Sequence, residues 1–145
     1  MLTGILYSCK NNMYNKDYDM RNIDKKILDN KMVSFYILPN EIRHIKLWVN
    51  IGDEEDGKWG FIRPALVISK IGALFFVVPL TSKIKYNIFH YHITTGNMSE
   101  RNSFIILSQG KVIDRKRFIR RIWHIHNPEL AYIKKLLHRL YLPVA

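Results

Sequence analysis

The sequence predicts an α+β fold: a small β-barrel or strongly bent antiparallel sheet, with a helical N-terminal extension and C-terminal helices. Three observations predict it. Short apolar runs recur every 8–15 residues or so through the middle of the chain, the pattern of an antiparallel barrel. Before them lies a stretch with helical apolar spacing, and after them a longer, capped one. The chain has 145 residues, 48% of them apolar, which is enough for one domain with one real core.

The elements follow in order. Tyr14, Tyr18, Ile23, Ile27 and Leu28 share one helix face between Tyr14 and Asn30, with Asp and Lys elsewhere. "VSFYILPNEI" reads as either a short strand ending at Pro39 or a linker, so residues 1–42 form an extension and 43–145 the domain. "IKLWVNI" (45–51) predicts a strand, "DEEDGKWG" (53–60) a polar loop, and "RPALVIS" (63–69) a second strand. Pro64 stands near the start of that strand, where a missing N–H is tolerated. "ALFFVVPL" (73–80) is continuously apolar and so central, with Lys70-Ile71-Gly72 as the turn before it. "NIFHYHITT" (87–95) and "SFIILSQ" (103–109) predict further strands. "DRKRFIRRI" (114–122) predicts a short basic helical turn capped by Asp114. "NPELAYIKKLLHRLYL" (127–142) predicts the clearest helix: Asn127 caps, Pro128 sits at the first helical position, and Glu129 suits the dipole. Its apolar face is Leu130, Ile133, Leu137, Leu140 and Tyr141.

Composition narrows the function. The net charge is +11, from 23 basic and 12 acidic residues, which favours a polyanionic partner. Residues 111–145 carry nine Lys and Arg against only Asp114 and Glu129, so Arg120 and Arg121 are candidate nucleic-acid contacts. The one cysteine, Cys9, excludes an internal disulfide and fits a reducing compartment. No apolar run approaches the roughly 20 residues of a membrane span, and "MLTGILYSCK" does not read as a signal peptide. The expectation is a cytoplasmic protein without a membrane partner.

Arg63 stands against the apolar run of "FIRPALVISK". Taken alone, it reads first as a strand-end residue paired with the "DEED" loop, and Thr81 as a turn residue after Pro79. Adjacent loop carboxylates are usually solvated, so a metal there is the weaker reading. His90 and His92 share one strand face, as do His124 and His126. Zinc needs a closed shell, which one thiol does not favour. A proton-transfer role for His90 or His92, and base stacking by Trp59, stay open; Trp48 reads as packing.

The string "NIGDEEDGKWGFIRPALVIS", then "PLTS", "LSQ" and "DRKRF", resembles the MazF/PemK family of toxin endoribonucleases over roughly Ile45 to Leu142. "KDYDMRNIDKKILDNKMVSFY" resembles the N-terminal extension of some PemK-like members. The resemblance implies an SH3-like barrel of the MazF/PemK/CcdB kind with C-terminal helices, usually a homodimer. It also implies metal-independent cleavage of single-stranded RNA, no cofactor, and neutralisation by an antitoxin protein. Arg63 and Thr81 match the residues the family relies on, and Glu54 matches its recurring loop acid. Ser82, Lys83, Gln109, Lys58 and Trp59 are further candidate substrate contacts. Three positions depart from the pattern: Lys46 and Leu47 stand where aromatic residues are common, and Gly110 where an apolar residue is usual. Other readings are a non-catalytic barrel that binds RNA or protein, and a gyrase poison of related fold.

The chemistry suits these types. Attack by the 2′-OH of RNA passes through a dianionic phosphorane, which needs proton transfer and donors fixed beforehand. Arg63 offers a planar fork matched to phosphate. Thr81 offers a hydroxyl, and Glu54 a base or an orienting group for Arg63. Arginine is a poor general acid, so electrostatic stabilisation is its expected role.

Overall fold

The computed structural model describes residues 18–47, 62–93 and 103–143. The first helix, α1, spans Tyr18–Asp29, within the stretch whose spacing predicts it. Its Ile23 and Ile27 are exposed, so polar contacts hold it to the rest of the chain. Asp24 pairs with Lys46 at 3.1 Å and Asp29 with Lys116 at 3.0 Å. Just beyond the helix, Lys31 Nζ donates to the Phe118 carbonyl at 2.6 Å.

The strands are β1 (Glu41–Lys46), β2 (Ile62–Ile71), β3 (Leu74–Thr81), β4 (His90–His92), β5 (Phe104–Ile106), β6 (Lys111–Asp114) and β7 (Phe118–His124). Neighbours run antiparallel in the order β4-β5-β3-β2-β1-β7, and β6 also pairs with β3. Among the described residues this pairing is an open path. Register shifts between Val67 and Ser69 and within β1 bend the sheet. Gly72, at φ 58°, makes the β2–β3 turn, where a side chain would be strained.

β2 explains why "ALVI" (65–68) is continuously apolar: both of its faces are buried. Leu66 and Ile68 join Ile42, Val78 and Ile105 on one side, under Leu130, Ile133 and Leu137 of the helix α2 (Asn127–Tyr141). Ala65 and Val67 join Ile45, Val77, Phe118 and Ile37 on the other. The α2 face falls where the spacing predicts it.

Several elements differ from their expectations. β1 begins at Glu41, because the Pro39-Asn40 turn ends the linker; Asn40 takes φ 75°, which Asn tolerates. The predicted continuation from Trp48 lies outside the described residues. β4 and β5 are three residues each, and Leu107–Gln109 turns into a 3-10 helix instead of extending the strand. β6 is a strand the sequence did not suggest. The predicted helical turn at 114–122 is helical only over Arg115–Arg117, where the Asp114 carboxylate does accept from the Lys116 N–H. From Phe118 onward the chain is strand, because β1 needs an edge partner and Ile119, Ile122 and Trp123 suit one. His126, not Asn127, takes the α2 N-cap position; the Asn127 side chain accepts from Asn40 instead, at 3.2 Å.

Two departures from the expected pattern find local partners. Lys46 is anchored to α1, and Leu47 is buried in the second core cluster. A Cβ on Gly110 would lie 2.6 Å from Phe76 Cζ and 3.1 Å from the Tyr141 hydroxyl, so only glycine fits there without a shift. Among the described residues no helix is long and apolar enough to cross a membrane.

Candidate active site

The strand register places the candidate residues. Arg63 pairs with Ile45 on one side. On the other side the β2–β3 register runs through Val67↔Val77, Leu66↔Val78 and Ala65↔Pro79. That pairing ends at Ala65↔Pro79, and Arg63 and Thr81 are each the next residue but one along their strands. Thr81 in turn pairs with Phe104, and Phe104 with His92. Ile45 pairs outward with Phe118. Two transverse rows result: Phe118, Ile45 and Arg63 on one side, and Thr81, Phe104 and His92 on the other.

Arg63 and Thr81 are both buried, at 6% and 8% exposure. Arg63 stands at the strand end, second in β2, and is covered there. A buried guanidinium needs partners, and Arg63 has an interaction of its own. Thr81 Oγ1 accepts the Lys83 N–H at 3.2 Å, which leaves its O–H to donate elsewhere. The same bond shapes the turn carrying Ser82 and Lys83, both exposed beside Thr81. A fixed fork and a fixed hydroxyl, recessed from water, can hold and stabilise an anionic centre. Glu54, Lys58 and Trp59 lie outside the described residues.

Other candidates fall elsewhere. Gln109 precedes Gly110, which lies against Phe76. Phe76 is five residues back along β3 from Thr81, roughly 16 Å at ~3.3 Å per residue. Arg120 Nε donates to His44 Nδ1 at 3.2 Å. His44 and Ile45 are consecutive strand residues and face opposite sides, so this contact lies away from the Arg63 row. Burial, and then the Arg120 charge, push the His44 pKa below its ordinary value. Arg121 is tied to the buried Glu41 carboxylate at 3.4 Å. Phe104, which joins Thr81 to His92, was not singled out from sequence; only the strand register reveals its place.

His90 Nδ1 lies 2.7 Å from Asn87 Oδ1, and Trp123 stacks on His124 with ring centroids 5.7 Å apart. Among the described residues no group of three His, Cys, Asp or Glu side chains is placed to hold a metal ion.

The sequence model of the family "PemK-like, MazF-like toxin of type II toxin-antitoxin system" matches residues 41–141. The chain belongs to this family. PemK/MazF toxins are endoribonucleases as a family. Solved structures share the fold at low identity. MazF from Deinococcus radiodurans superposes with a TM-score of 0.62 at 19% identity, over 74% of this chain and 98% of that one. The MazE-MazF complex from the same organism gives 0.57 at 17%, over 75% and 98%. An endoribonuclease in complex with its cognate antitoxin, from a mycobacterial species, gives 0.55 at 12%, over 76% and 100%. Comparison with curated proteins found no sequence match. In the PemK/MazF motif order, the arginine of R-P and the threonine of P-L-T-S stand at the same end of the β2–β3 hairpin, each two residues beyond the Ala65↔Pro79 pair.

Proposed function

We propose that this PemK/MazF-family chain is a sequence-selective endoribonuclease that cleaves single-stranded RNA without a metal, as the toxin of a toxin–antitoxin pair. The observation that carries the reading is that Arg63 and Thr81, the motif arginine and threonine, are both buried at the same end of the β2–β3 hairpin, each two residues beyond the Ala65↔Pro79 pair. The scissile phosphate would sit between them. The 2′-hydroxyl gives its proton to a base as its oxygen attacks phosphorus, the bond to the 5′-oxygen breaks as that oxygen takes up a proton from solvent, and the products are a 2′,3′-cyclic phosphate and a 5′-hydroxyl. Arg63 stabilises the charge gathering on the non-bridging oxygens. The Thr81 hydroxyl donates to one of them. Glu54 is the proposed base or the group that orients Arg63. Lys83, Ser82 and the net charge of +11 support RNA as the polyanion.

The reading includes a homodimer, a cytoplasmic setting and a cognate antitoxin. The fold neighbours include complexes with an antitoxin. Exposed apolar side chains of the extension and its linker, among them Ile27, Met32 and Tyr36, offer surface for a partner to cover.

The test is to incubate the purified chain with a mixed RNA pool in EDTA. The reading expects discrete cuts at a shared short sequence, with 2′,3′-cyclic phosphate ends. An uncut pool, or cutting that EDTA abolishes, contradicts it.

A further inference from the structure

The row that begins at Thr81 continues into an aromatic group. Phe104, beside Thr81, is 2% exposed. The His92 ring lies 4.9 Å from it, tilted by 45°. The Tyr86 ring meets it edge-on, 5.7 Å away at 85°. Tyr86 itself is 87% exposed, so its ring faces are open to solvent. His92 is half-buried, yet its Nε2 is shielded from water and has no hydrogen-bond partner among the described residues.

We propose that Tyr86, Phe104 and His92 form a subsite for the nucleobase next to the scissile phosphate, with Tyr86 stacking the base and His92 Nε2 reading its edge. The inference rests on the nuclease reading above and adds base recognition to it.

Distance decides between this role and proton transfer. His92 is two strand spacings from Thr81, about 10 Å. Proton transfer needs contact at about 3 Å or one intervening water. His92 is therefore out of reach of a phosphate held on Thr81, while the neighbouring nucleotide falls over Phe104. Phe104 is too covered to stack a base and serves as the floor. An exposed ring with open faces is what single-stranded nucleic acid stacks on, and such stacking tolerates any base. Discrimination then needs a directional polar group. A ring nitrogen kept from water without a partner rewards the base that supplies one and penalises a base that does not. Lys83, exposed in the same segment, supplies charge for the adjoining phosphate.

The test uses the full chain, a randomised single-stranded RNA oligonucleotide for binding, and sequencing of cut ends from a long RNA pool. Tyr86→Ala should weaken oligonucleotide binding at least about fivefold, with an unchanged melting temperature, since the residue is exposed. Tyr86→Phe should bind like wild type. His92→Ala should relax the preference at one base beside the cut by about tenfold, while the other positions keep theirs. Wild-type affinity in Tyr86→Ala overturns the proposal and leaves this surface to a protein partner. Wild-type base preference in a folded His92→Ala overturns the reading role of His92. A wild-type chain that binds the oligonucleotide but leaves the pool uncut removes the nuclease reading instead, and the Tyr86→Ala binding result still decides the subsite.

Discussion

Glu41 Oε2 accepts a 2.7 Å hydrogen bond from Arg43 Nε, two residues along the same strand, with both side chains almost sealed from water. The Leu38 N–H donates to the same oxygen at 3.2 Å, and Arg121 reaches the other oxygen. Arg43 also donates to the Tyr36 carbonyl at 2.8 Å and lies 4.8 Å over the Phe35 ring. This network joins the linker, β1 and β7 on the face that carries the Arg63 row.

Removing one partner strands a buried charge, so Glu41→Ala should destabilise the fold by about 3–5 kcal/mol. Calorimetry or chemical denaturation checks this, and a loss below about 1 kcal/mol contradicts it.

The same carboxylate predicts an acid response. Burial by itself would raise its pKa, but the bond from Arg43, the Leu38 N–H and Arg121 outweigh that and lower it from 4.5. The folded value is below the unfolded one. The stability is therefore complete above about 4.5 and is lost as pH falls through the lower folded value. Melting temperature should drop as pH falls below that point, and Glu41→Gln should flatten the drop. An identical acid slope in the two proteins contradicts the assignment.

Gly110→Ala should destabilise by about 1–3 kcal/mol, because the new Cβ must displace Phe76 from a packed site. Phe76 also meets Tyr141 edge-on at 6.4 Å, and the Tyr141 hydroxyl accepts from Gly110 N at 3.0 Å. Melting curves of the variant check this, and an unchanged melting temperature shows that the ring yields freely.

Lys83 is exposed next to Thr81, so Lys83→Ala should lower RNA affinity and reduce the slope of log affinity against log salt by about 0.7. Arg121→Ala should instead act on stability, through Glu41. Equal slopes for wild type and Lys83→Ala remove that lysine from the RNA path.

What could be read from the sequence follows how local each signal is. α2 carries its own proline and apolar stripe, and β2 and β3 are long apolar runs, so all three were legible. β7 was not: its basic residues imitate a helical turn, and its strand state depends on pairing with β1, some 75 residues earlier. The motifs named Arg63 and Thr81, but only the register brings them to the same end of one hairpin, because that depends on the Gly72 turn and the β2–β3 alignment. Arg120 and Arg121 looked like one basic patch. Consecutive strand residues face opposite ways, and the structure gives one to His44 and the other to Glu41.

The most direct measurement is single-turnover RNA cleavage and melting temperature on the same Arg63→Ala sample. If Arg63 stabilises the phosphorane, the barrier should rise by about 2.7–4 kcal/mol, or roughly 10²–10³ in rate. Arg63→Lys should recover little, because a point charge does not reproduce the fork. Burial of Arg63 adds a loss of stability, so cleavage is read well below the mutant's melting temperature. Thr81→Ala should also cut the rate while leaving RNA binding nearly intact. A folded Arg63→Ala that cleaves at the wild-type rate and is merely less stable would contradict the account.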